Sequence, residues 1–171
     1  PQQPVFVIAE AGVNHNGDLA MARALIDVAV DAGADAVKFQ TFQAERLVTP
    51  DAPKAAYQLQ TTGGVESQLE MLRRLELSEE AHRELQSYCR EREIAFLSTP
   101  FDEQAADFLD ELGVPAFKIS SGDLTNSPLL EYVALKGKPV ILSTGMSDLE
   151  ELIEAVSVLH AAGCEDPILL H

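Results

Sequence analysis

Strand-length apolar runs alternate with helical stretches along this chain, and that alternation limits its fold more than any other feature. The runs are VFVIAEA from Val5, DAVKFQTF from Asp35, IAFLSTP from Ile94, PAFKISS from Pro115, PVILSTG from Pro139 and PILLH from Pro167. Between them, LAMARALIDVAVDAG, SEEAHRELQSYCRERE, DEQAADFLDELG and SDLEELIEAVSVLHAAG repeat their apolar residues at steps of three and four, the period of a helix with one buried face. Strand and helix in that rhythm predict parallel strands joined by right-handed crossovers. Gly33, Gly113, Gly137 and Gly163 stand where helices should close on a left-handed residue, and Pro115, Pro139 and Pro167 then open strands. Ser147 with Glu150 reads as a capping box, and Ser127 before Pro128 as an N-cap and first turn.

Two lysines decide between the parallel architectures. The chain has five, and two interrupt strand runs: Lys38 between Val37 and Phe39, and Lys118 between Phe117 and Ile119. The pleat puts Val37, Phe39 and Thr41 on one face and Ala36, Lys38 and Gln40 on the other, and it sets Lys118 and Ser120 opposite Phe117 and Ile119. A doubly wound sheet would bury each lysine under an apolar helix, at a cost of several kcal/mol. In a closed barrel the second face turns inward and opens at the C-terminal ends of the strands. Glu10, Thr99, Ser143 and His171 lie at such ends. The expected fold is therefore an α/β, (β/α)8 TIM barrel of which only the first six strands are recognisable. Closure takes eight strands and usually about 250 residues, so residues 1–171 are expected to form one barrel domain truncated on its C-terminal side.

Charge narrows the partners. Acidic residues outnumber basic ones 28 to 12, for a formal charge of −16, and such a field repels polyanions. Nucleic acid is not an expected partner, and a small anion would be held only where the few cations are concentrated. No apolar run approaches the roughly 18 residues that span a bilayer, and PQQPVFVIAEAG lacks the features of a signal peptide, so a soluble cytoplasmic protein with no membrane partner is expected. Cys89 and Cys164 show no metal spacing and read as reduced and structural.

At the predicted mouth, Lys38 and Lys118 lie among the hydroxyls of Thr99, Ser120, Ser121 and Ser143, a set suited to a phosphate or a carboxylate. Two other readings stay open: each lysine is a core residue paired with a carboxylate such as Glu10 or Asp123, or one is desolvated and forms a Schiff base. EAGVNHNGD, from Glu10, matches no nucleotide-binding glycine loop. It offers a carboxylate, the amides of Asn14 and Asn16 and the imidazole of His15 for sugar hydroxyls, proton transfer or metal, although His15 reads equally well as a turn residue. His82 and His160 sit in helical patterns and read as structural or solvated. The polar excursion from Phe42 to about Ser67 has the length of a functional lid or binding loop.

IAEAGVNHNGD, ADAVKFQT, ESQLEML, FLSTPFD, FKISSGDLTN and PVILSTGM, in this order, resemble the N-terminal barrel domain of the sialic acid synthase family, which includes N-acetylneuraminate and legionaminic acid synthases. The resemblance implies condensation of phosphoenolpyruvate with an open-chain, N-acylated amino sugar such as N-acetylmannosamine. A nonulosonic acid forms and phosphate leaves by C–O cleavage. It implies that Lys38, Thr99, Lys118, Ser121 and Ser143 hold phosphoenolpyruvate and that Glu10 and Gln40 face the sugar and the reacting carbons. Glu10, Lys38, Gln40 and Lys118 are thus the catalytic candidates. Thr99, Ser121, Asp123, Ser143, Asn14 and His15 are the substrate-binding ones, with Asp123 standing where many members carry glutamate. The resemblance further implies a divalent metal, manganese or magnesium, with ligands beyond residue 171, and a homodimer whose partner contributes an antifreeze-like domain. By the same resemblance, residues 1–171 alone are expected to lack activity; a non-catalytic, anion-binding remnant is the alternative from another class.

Overall fold

The computed structural model describes residues 4–54 and 66–171. Among these residues six strands, β1 (Ile8–Gly12), β2 (Ala36–Thr41), β3 (Ala95–Pro100), β4 (Phe117–Ile119), β5 (Val140–Ser143) and β6 (Ile168–Leu170), form two parallel three-stranded sheets ordered β1-β2-β3 and β4-β5-β6. β3 lies against β4 where the two sheets meet. Chain order without reversal is the wall of a barrel; a doubly wound sheet would reverse at a switch point. The helices are α1 (Leu19–Asp31), α2 (Ala44–Leu47), α3 (Gln68–Leu75), α4 (Glu79–Glu91), α5 (Glu103–Leu112), α6 (Ser127–Ala134) and α7 (Leu149–Ala161).

Helix ends follow local chemistry. Asp18 caps α1 by accepting from the Ala20 and Met21 amides, Ser78 caps α4 and Asp102 caps α5. Gly33, Gly113, Gly137 and Gly163 all take positive φ, as expected after a helix. Two expected caps are each displaced by one residue. Asp148, not Ser147, closes a capping box with Glu151, and Asn126, not Ser127, caps α6, leaving Pro128 in its first turn. Asp, Asn and Ser cap about equally well, and Ser67 and Ser78 do so here, so the path of the incoming chain decides which neighbour faces the free amide. The first strand also starts later than expected, at Ile8 rather than Val5.

Parity holds along the wall. Val37, Phe39, Phe117, Ile119, Val140 and Leu142 point at the helices and share one core with Ile26, Leu85, Leu109, Leu130 and Leu159. The opposite face is apolar at its base, where Ile8, Leu97, Ala116, Ile141, Ile168 and Leu170 line a cavity of about 290 Å³. Above that floor the same face turns polar.

The excursion after β2 is not simply a polar loop. Its described part carries α2 and is followed by α3, and Phe42, Ala44, Met71 and Leu72 form a second small core with Val13 and Phe101 packed against it. The stretch PDAPKAAYQLQTTGG lies partly outside the described residues. Arg46 ties this unit to the start of α5 through its cap Asp102 (2.8 Å) and Gln104 (2.8 Å). Its other side meets the β1–α1 loop so closely that a Cβ on Gly17 would lie 2.3 Å from the Arg74 carbonyl oxygen.

Candidate active site

The site is built from the ends of successive strands. Glu10 and Lys38 are register partners, just before an irregularity at Glu10–Gly12, and their side chains form an ion pair. The lysine side chain is nearly enclosed, at 11% exposure, while that of Glu10 is 54% exposed. Gly12 permits this arrangement: its φ is 53°, and an added Cβ would lie 3.1 Å from Glu10 Oε1 and 3.8 Å from Gln40 Nε2. Gln40 and the buried Thr99 are register partners one step further up the wall.

Lys118 comes from the second sheet. It is buried, and its ammonium donates to Ser143 Oγ at 2.6 Å and to the Ile119 carbonyl at 2.7 Å. Burial first, then repulsion from Lys38, brings its pKa down to about 8, with Glu10 acting in the opposite direction. Three charged groups on three strands therefore sense one another. Ser121 opens a single 3-10 turn, Ser121–Asp123, beyond β4; Gly145, beyond β5, sits beside it, where an added Cβ would be 3.5 Å from Ser121 Oγ. Asp123 ends that turn with its carboxyl pushed up by burial, against a hydrogen bond from Asn126.

The predicted residues thus divide. Glu10, Lys38, Gln40, Thr99, Lys118, Ser121 and Ser143 share the C-terminal rim, with Asp123 beside them. Asn14 is exposed in the β1–α1 loop and, among the described residues, makes no hydrogen bond to this group. His15 is buried: its Nδ1 accepts from the Gly17 amide at 3.0 Å and its ring packs 6.1 Å from Phe39, on the helix-facing side of the wall. The two lysines also differ. Lys38 is paired with a carboxylate, as in the core-pairing reading, whereas Lys118 is held by a hydroxyl and a carbonyl.

His82, read as structural or solvated, is structural: on α4 it is buried behind β2, with Thr41 Oγ1 2.9 Å from its Nε2, and Ser98 Oγ lies 2.7 Å from Thr41 Oγ1, a pairing the sequence does not show. The available signal was its place on the buried stripe of α4 with Leu85, Gln86 and Cys89. Cys89, on the same stripe, is free, and burial pushes its thiol up to about 12, so it is inert. Among the described residues no group of three or more His, Cys, Asp or Glu side chains could hold a metal ion.

Parallel strands in chain order, with cationic and polar side chains gathered at their C-terminal ends, define a TIM-barrel-type domain with a polar mouth. A family model described as the NeuB family matches residues 25–171. The chain is 52% identical to N,N'-diacetyllegionaminic acid synthase of Campylobacter jejuni over 97% of its own length and 50% of that protein, and 51% identical to the protein of the same name from Legionella pneumophila over 90% and 43%. Among solved structures it resembles N-acetylneuraminic acid (sialic acid) synthetase of Leptospira borgpetersenii in complex with citrate, with a TM-score of 0.84, 35% identity, and coverage of 99% of this chain and 54% of that one. The chain belongs to the NeuB family, whose named members here are synthases. It spans about half the length of the curated relatives it matches.

Proposed function

We propose that the whole protein condenses phosphoenolpyruvate with an N-acylated amino sugar to give a nonulosonic acid and phosphate. The carrying observation is the coupled group of Lys38, Glu10 and Lys118 on one rim, two buried cations beside one accessible carboxylate. Phosphoenolpyruvate is an anion at both ends, and Lys38 and Lys118 supply charge for its phosphate and carboxylate while Thr99, Ser121 and Ser143 supply hydroxyl donors. Glu10 and Gln40 stand beside them to meet the sugar. In the reaction a carbon–carbon bond joins phosphoenolpyruvate C3 to the sugar aldehyde carbon, water adds at C2, and the C2–O bond breaks as phosphate departs. Glu10 is the rim carboxylate able to hold a proton at the aldehyde oxygen.

The two relatives above 50% identity are named for a product carrying two acetyl groups, which favours an acceptor sugar with two acetamido groups. The implied manganese or magnesium does not fit the residues described here, since no donor cluster exists among them, and no step above runs through it. Ligands beyond residue 171, a homodimer and a cytoplasmic location belong to the same proposal; among the described residues no helix is long and apolar enough to cross a membrane. We further propose that residues 1–171 alone are inactive.

The test is phosphate release from phosphoenolpyruvate by the full-length protein with manganese, offering N-acetylmannosamine and a diacetamido sugar in parallel. Sugar-dependent release, greater with the diacetamido sugar, is expected; release that ignores the sugar, or none, overturns the reading. A second reading rests on Lys118, whose pKa of about 8 leaves free amine near neutral pH, as a Schiff-base lysine requires. Borohydride reduction in the presence of a carbonyl substrate would then leave an adduct on Lys118, and the synthase reading expects none.

A further inference from the structure

The group that the mouth does not use is the polar chain behind it. His82 Nδ1 lies 2.9 Å from the Ser78 carbonyl, which can only accept, so Nδ1 carries the proton. Burial keeps the ring neutral, so Nε2 can only accept, and the Gln40 carbonyl 3.4 Å from it is not a partner in this state. Thr41 must then donate its one hydroxyl proton to Nε2, and Ser98 must donate to Thr41. The chain therefore has a single sense, from Ser98 through Thr41 and His82 to Ser78. The ring cannot swing away, because Phe96 (6.4 Å, 87°) and Phe108 (5.7 Å, 84°) both meet it edge-on.

What the chain holds in place is the mouth. Thr41 directly follows Gln40 and Ser98 directly precedes Thr99, and Gln40 and Thr99 are register partners on the opposite face. Two hydroxyls on the helix side thus sit back-to-back with two rim side chains on the same strands. Nothing in the parallel ladder alone relates the depth of these strand ends to α4; the hydrogen-bonded chain does.

We propose that His82 is a positioning residue for the reaction, acting through Thr41 and Ser98 to set the places of Gln40 and Thr99 at the rim. The proposal rests on the condensation reading above, and its test separates the two. In the full-length protein, Thr41→Val keeps the shape and deletes the central hydroxyl, His82→Phe deletes the acceptor, and His82→Gln puts an amide oxygen near the place of Nε2. Positions misplaced by a fraction of an ångström far from the chemistry are expected to raise KM for the acyl sugar about tenfold or more in Thr41→Val and His82→Phe. Phosphoenolpyruvate affinity, carried mainly by the lysines, falls less, through Thr99 alone, and His82→Gln recovers most of both losses.

A merely structural role would lower Tm and the folded fraction and leave KM of the folded enzyme unchanged in all three variants, and that result overturns the proposal. So does a His82→Gln enzyme no better than His82→Phe. A wild-type enzyme that neither turns over nor binds phosphoenolpyruvate overturns the condensation reading and this proposal with it. A wild-type enzyme that turns over beside variants of unchanged KM overturns the proposal alone.

Discussion

Glu10 and Lys38 face each other as register partners in neighbouring parallel strands and close an ion pair at the rim, with the cation nearly enclosed and the carboxylate half exposed. An incoming anion must therefore compete with Glu10 for Lys38. Glu10→Gln removes that competitor and one negative charge from beside the site while preserving the shape. Phosphoenolpyruvate should bind the variant tighter, by up to about tenfold, because the repulsion relieved acts across a partly desolvated gap. Sugar-dependent turnover should nevertheless fall about 100-fold or more, as is usual when a proton-handling carboxylate is lost. Calorimetry and phosphate release read the two effects separately; weaker phosphoenolpyruvate binding in Glu10→Gln would contradict the competition.

Lys118 is held at a cost to the fold. Its pKa is lowered from 10.5 to about 8, so the unfolded chain binds the proton more tightly than the folded one, and stability rises with pH between those values. Below pH 8 the buried charge costs about 3 kcal/mol at most. Lys118→Met should accordingly leave the protein as stable as wild type or more so at pH 7, and urea titrations at pH 7 and pH 10 should show wild type gaining stability where the variant does not. The same variant should lose about 1.5–3 kcal/mol of phosphoenolpyruvate affinity, one charge-assisted contact. A large loss of stability with unchanged affinity would instead make Lys118 a core residue.

How far the site could be read from sequence depended on the range of the interactions. Parity is a period-two rule, so the inward turn of Lys38 and Lys118 follows from Val37, Phe39, Phe117 and Ile119 alone. The Glu10–Lys38 pair does not, because it needs the register of two strands and the irregularity at Gly12, where the backbone turns to φ 53°. The caps at Asp148 and Asn126 were misplaced by one residue, since either neighbour can accept the same amide and tertiary position decides. His15 reads from sequence either as a mouth residue or as a turn residue, and the turn from Asn14 to Gly17, which rotates it onto Phe39, settles for the second. The His82 chain joins residues 41 and 57 positions apart, and no local pattern carries such a pairing. The second core was hidden for the same reason, since it joins Phe42 and Ala44 from the start of the polar excursion to Met71 and Leu72 beyond its end.

Gly17 and Gly33 share a left-handed backbone, at φ 77° and 74°, but differ in what surrounds them. A Cβ on Gly33 would meet nothing within 4 Å, whereas one on Gly17 would lie 2.3 Å from the backbone oxygen of Arg74. Gly33→Ala should therefore cost only the conformational penalty, about 1 kcal/mol. Gly17→Ala must also push α3 away from the β1–α1 loop and should cost about 3 kcal/mol. Equal costs in chemical denaturation would mean that the close approach of these two segments is not maintained in solution.

His82 and His15 give the fold an acid limit. Burial is the largest cause lowering both pKa values from 6.5; proximity to His82 adds to it for His15. In the unfolded chain both rings take up protons near pH 6.5, while in the folded chain they resist, so the unfolded state binds more protons as pH falls below that value and stability drops. The contribution is complete above pH 6.5 and is lost progressively on the acid side. His82→Gln removes one of the two titrating rings and keeps an acceptor for Thr41, so its stability should fall less steeply than that of wild type between pH 6.5 and pH 5. Because His15 no longer faces a neighbouring imidazole in that variant, its own pKa should rise toward 6.5, which NMR titration of the His15 ring reads directly. Parallel pH–stability curves for the two proteins would mean that His82 takes up its proton at the same pH in the folded and unfolded chain, so that burial does not keep the ring neutral.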